Sequence, residues 1–207
     1  MRRVIYVWRK LYVIGWIIHP IAMKSTKVAI IAVLAALSIG SNYAMMSLYN
    51  VKFMDLIVFV AGFCFGPLVG GFTGVLSWSV YGVLNPLGFS LPIWVATMLS
   101  EAVYGVVGGL LGRSLAEPSR KGGSEQFELR MFFGTLGVFL TLLYDVITTI
   151  VFVYVGSQHI LTAIIMGVPF ILVHVLSNAL FFGLGCVPAI RVIMKTVGGR
   201  AFGIPEK

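Results

Sequence analysis

The stretch GFSLPIWVATMLSEAVYGVVGGLLG at 88–112 decides how this chain must be read, because it is an apolar helix with a carboxylate, Glu101, in its middle. It pairs with MFFGTLGVFLTLLYDVITTIVFVYVG at 131–156, where Asp145 is embedded in the same way. An ionisable group in hydrocarbon costs a few to more than about ten kcal/mol, so it persists where it faces a cavity, a partner or a ligand. Two such groups in different spans predict a buried polar site.

Apolar runs of about 20 residues, the length that crosses a bilayer, recur outward from these two segments. Of the 207 residues 59% are hydrophobic and 11% charged, which predicts an all-α integral membrane protein rather than a soluble domain. We read six spans, at about Lys27–Ser47, Met54–Phe65, Leu68–Val83, Pro92–Gly112, Phe132–Val155 and Val168–Ile193. The second and third are short and meet at Gly66-Pro67, where proline removes a helix donor and restricts the residue before it. His159–Gly167 reads as a separate short interfacial helix leading into Pro169, since proline suits a first helical turn.

The net charge of +8 does not indicate nucleic acid, because the basic residues sit at the ends and in loops. Lys24, Lys27, Arg113, Arg120, Lys121, Arg130, Arg191, Lys195, Arg200 and Lys207 fall on one side; the opposite loops carry Lys52. By the positive-inside rule both termini and the loop 113–130 are cytoplasmic, and the outward loops are Leu48–Phe53, Leu84–Leu91 and Gly156–Gly167. The location expected is the cell membrane, multi-pass. The chain divides into an N-terminal extension at 1–22, a membrane domain at 23–196 and a cytoplasmic tail at 197–207. The extension reads as an interfacial segment or as sequence preceding a natural start at Met23; Arg9 and Lys10 interrupt it as a span.

Glu101 lies about 14 Å inside Pro92, Asp145 about 15 Å inside Val155, and His174 and Asn178 about 9 and 15 Å inside Val168, at 1.5 Å per residue. Trp94 shares a face with Glu101, seven residues away; Thr149 continues a polar stripe from Asp145; and His174 and Asn178 are i,i+4 neighbours. We take Trp94, Glu101, Asp145, Thr149, His174 and Asn178 as candidate substrate-binding residues, a mixture that suits a flat heterocycle. Each has a plainer reading. The acids can pair with His174 to hold the bundle, Trp94 can anchor at the interface, and Asn178 can bridge helices.

Small residues dominate the first half: Ala32 and Ala36 frame A-x-x-x-A, and Gly62, Gly66, Gly70 and Gly74 recur every fourth residue. Such faces allow close helix approach, within the chain or toward another membrane subunit. Cys64 and Cys186 read as small buried hydrophobes. No H-E-x-x-H, P-loop, G-x-S-x-G or metal-ligand spacing is present, so no catalytic set, metal or cofactor is expected.

The segments 50–77, 85–113, LLYDVITTI (142–150) and GVPFILVHVLSNALFF (167–182), with the alanine pair, resemble the substrate-binding S components of energy-coupling factor (ECF) vitamin transporters. The resemblance covers about Met23–Thr196. It implies six helices with cytoplasmic ends and a small-molecule pocket built mainly by helices four to six. It also implies that the loop after helix one closes that pocket, making Tyr49 and Asn50 gate candidates. Ala32 and Ala36 would dock a membrane coupling subunit driven by an ATPase pair, with a vitamin or precursor as substrate. The rival expectations are a stand-alone proton-coupled transporter using Glu101 and Asp145, and a scaffold whose acids are merely paired.

Overall fold

A computed structural model describes residues 25–85, 88–115, 124–156 and 159–197. The extension 1–22, most of the tail, and the basic residues Lys24, Arg120, Lys121, Arg200 and Lys207 lie outside the described residues. Six helices follow in order: α1 (Ser25–Ala44), α2 (Met54–Phe65), α3 (Pro67–Tyr81), α4 (Leu91–Ser114), α5 (Ser124–Gly156) and α6 (Ile160–Val197). The described residues contain no strand. The helices α1, α4, α5 and α6 are each long and apolar enough to cross a membrane. The shorter α2 and α3 have 12 and 15 residues, or about 18 and 23 Å.

The helix α2 is the hub. From Met54 to Cys64 all of its side chains are buried, and it packs against α1, α3, α4 and α6. This explains its sequence, which is apolar around the whole circumference rather than on one stripe. Glycine permits the close approach to α4. A Cβ on Gly105 would collide with the Gly70 backbone, one on Gly62 with the Gly105 carbonyl, and one on Gly108 with the Phe59 carbonyl. Internal packing therefore occupies Gly62, Gly70 and Gly74 of the periodic set, Gly74 facing the Glu101 backbone. Gly66 serves differently: it turns the chain between α2 and α3 at φ 98°, a conformation open to glycine.

Three boundaries differ from expectation. The fifth helix begins at Ser124 rather than near Phe132, so it takes up the end of the expected loop 113–130. The first span stops at Ala44, and 45–47 are turns. The interfacial helix expected over His159–Gly167 is not separate: α6 runs unbroken through Pro169 and Pro188. Proline removes one donor per position. A chain break in an apolar environment would strand several backbone groups, so continuing the helix costs less.

Candidate functional site

Contacts from the α1–α2 and α3–α4 connections gather at one end of the bundle. The Tyr43 hydroxyl donates to the Leu84 carbonyl at 3.2 Å, joining the end of α1 to the α3–α4 connection. On the other side the Asn50 amide donates to the Phe170 carbonyl at 2.8 Å, and the Tyr49 ring lies against Phe170 with centroids 4.7 Å apart. Asn50 takes φ 53°, the left-handed region that asparagine tolerates better than most residues. Both gate candidates thus touch the early part of α6.

Between these contacts the segment 45–53 descends into the bundle. The first turn of α2 holds Asp55, which meets residues deep in α6. His174 Nε2 is 2.8 Å from Asp55 Oδ2, and Asn178 Nδ2 donates to the same oxygen at 2.6 Å. The other imidazole nitrogen, Nδ1, lies 2.9 Å from Asp145 Oδ1. At 1.5 Å per residue, Glu101 is about 15 Å along α4 from Leu91, Asp145 about 16 Å back from Gly156, and His174 about 21 Å from Ile160. The short α2 therefore begins at mid-depth, and its N-terminus, where a helix favours negative charge, delivers Asp55 to the other polar groups.

Asp55, Glu101, His174 and Asn178 are all 0% exposed. Trp78 on α3 donates its indole N–H to Glu101 Oε2 at 3.2 Å. Thr141 accepts from the Asn178 amide at 2.8 Å and from the Tyr104 hydroxyl at 3.0 Å, and donates to the Gly137 carbonyl at 2.7 Å. These bonds tie five helices, α2 to α6, into one network.

A histidine between two carboxylates implies a proton count. A neutral ring has one N–H, and both nitrogens here face acid oxygens, so the triad carries one more proton, on the ring or on an acid. Glu101 and Asp55 also lie within reach of each other. Buried oxygens remain without a protein donor: Asp55 Oδ1, Glu101 Oε1, Asp145 Oδ2 and Asn178 Oδ1. Unsatisfied buried acceptors are costly, and their concentration in one place suits a ligand rich in donors or positive charge. Among the described residues no group of three or more His, Cys, Asp or Glu is placed to hold a metal ion.

Of the expected site residues, the fold brings Glu101, Asp145, His174 and Asn178 together. Trp94 bonds elsewhere: its N–H donates to the Trp78 carbonyl at 3.0 Å, fastening α4 to the end of α3. It is Trp78 that reaches Glu101. Thr149 is half-buried, one turn from Asp145 toward the end of α5. Sequence reasoning missed Asp55, Trp78 and Tyr104 in this network. Ala32 and Ala36 are exposed on α1, and Ala32 lines an open apolar groove of about 260 Å³ between α1 and α3, with Val28, Ile31, Phe72, Val75 and Leu76.

Apolar helices around a buried polar network define a multi-pass membrane protein. The chain belongs to the ECF transporter substrate-specific component family, whose model matches residues 26–194. It is thus a substrate-specific transport subunit rather than an enzyme. No curated protein and no solved structure matches it.

Proposed function

We propose that this chain captures a vitamin or related small molecule and delivers it to a membrane coupling subunit powered by two ATPases. The observation that carries this reading is the convergence of Asp55, Glu101, Asp145, His174 and Asn178 beneath the 45–53 segment. Solute enters from the end bearing the 45–53 segment, which faces outward by the charge distribution; both termini are cytoplasmic and all six helices belong to the membrane domain. Tyr49 and Asn50 hold the closing loop on α6. The exposed alanines Ala32 and Ala36 on α1 form the docking face for the coupling subunit, where small side chains allow close helix contact.

A second reading has one observation in its favour: the Asp145–His174–Asp55 chain has the form of a proton relay. Uptake by cells separates the two. Coupling to ATPases predicts transport that survives an uncoupler while ATP is maintained and stops when the ATPases are inactivated. The reverse pattern identifies a proton-coupled carrier.

A further inference from the structure

The segment 45–53 carries one cation, Lys52, which is half-buried and holds its ammonium over two rings of the bundle. Its Nζ is 5.3 Å from the centroid of the Trp78 ring and 4.8 Å from that of Tyr144. Both rings are buried, at 5% and 3% exposure. Trp78 is also the donor to Glu101, and Lys52 lies near enough to Asp55 and Glu101 to interact with both acids. Two aromatic faces beside two acids, Asp55 Oδ1 and Glu101 Oε1 being without a hydrogen-bond partner, form a receptor for a positive group. Aromatic faces attract cations through the ring quadrupole, and the attraction grows when the pair is desolvated.

Resting on the substrate-binding reading above, we propose that Trp78, Tyr144, Asp55 and Glu101 form an organic-cation subsite. Lys52 fills it as a tethered stand-in until the substrate's own positive group displaces it. Two cations over the same two ring faces compete for one place and repel each other at short range. Lys52 sits on the nine-residue connection between Ala44 and Met54, outside the helices, so its side chain can swing away without unwinding one. Displacement would therefore couple capture of a cationic solute to movement of the loop that carries Tyr49 and Asn50. Lys52 would also set specificity, since a neutral solute of the same shape brings nothing to replace the ammonium over the rings.

The test is equilibrium binding to the full chain purified in detergent. Choline and 1-methylquinolinium serve as cationic probes, with 3,3-dimethylbutanol and quinoline as uncharged counterparts. Lys52→Met should tighten binding of at least one cation tenfold or more and leave the neutral probes unchanged. Adding Trp78→Leu should remove that gain. Lys52→Gln, which keeps a polar tip, guards against a packing artefact and should show the same preference. Equal gains for charged and neutral probes would make Lys52 a steric lid only, and weaker cation binding would make it a ligand contact; either overturns the proposal. If the wild type binds a vitamin while Lys52→Met shows no gain for cations, the subsite falls and the transport reading stands. If neither protein binds any probe or vitamin, both fall.

Discussion

His174 holds its place by bridging two acids on different helices, Asp145 on α5 and Asp55 on α2. Removing one partner of a buried charged network is expensive, about 3–5 kcal/mol, because the remaining charges stay desolvated and unpaired. His174→Leu should therefore lower the thermal midpoint markedly in detergent, whereas Thr149→Val, at a half-buried position, should change it little; an unaltered midpoint in His174→Leu would mean the bridge carries no weight. Glu101, Asp145, His174 and Asn178 were legible in the sequence because each interrupts a long apolar helix. Asp55 was not, since an acid in a first helical turn beside Lys52 has an ordinary explanation in the helix dipole. The missed signal lay in the following residues: LIVFVAGFC is apolar on every face, which places α2, and hence Asp55, at the centre of the bundle.

Among the elements, the contact of α2 and α3 with α4 depends on absent side chains. Gly105→Ala would drive a methyl into the Gly70 backbone, which has no rotamer with which to yield, so a loss of at least about 1–3 kcal/mol is expected. Gly40 on α1 has nothing within 4 Å of a built Cβ, and Gly40→Ala should leave stability nearly unchanged. Thermal midpoints of the two variants compare them directly, and equal losses would contradict the packing described. The repeat of glycines was visible in the sequence, but not that it faces inward, because spacing alone does not say which neighbour a face meets. Continuity of α6 was hidden for a related reason: Pro169 is locally a good helix start, and only the apolar surroundings of the preceding residues make an unbroken helix preferable.

For the whole molecule, the proposed function puts substrate capture and subunit docking in different places, the first inside α2–α6 and the second on Ala32 and Ala36, which are exposed on α1. Ala32→Leu or Ala36→Leu should leave solute binding in detergent intact and abolish uptake in cells, since added bulk blocks close approach of a second helix. Loss of binding in either variant would move that face into the site itself. The helical class and the family could be read from apolar runs and motifs, whereas the depth of the 45–53 segment follows from how short α2 is and could be seen once the helices were assembled. The most direct test of the central claim is native mass spectrometry of the gently purified full chain, with chemical identification of any small molecule retained. The account predicts a bound vitamin or precursor that is lost in Asp55→Ala and Glu101→Ala. An empty protein whose melting is also unmoved by a panel of vitamins would contradict it.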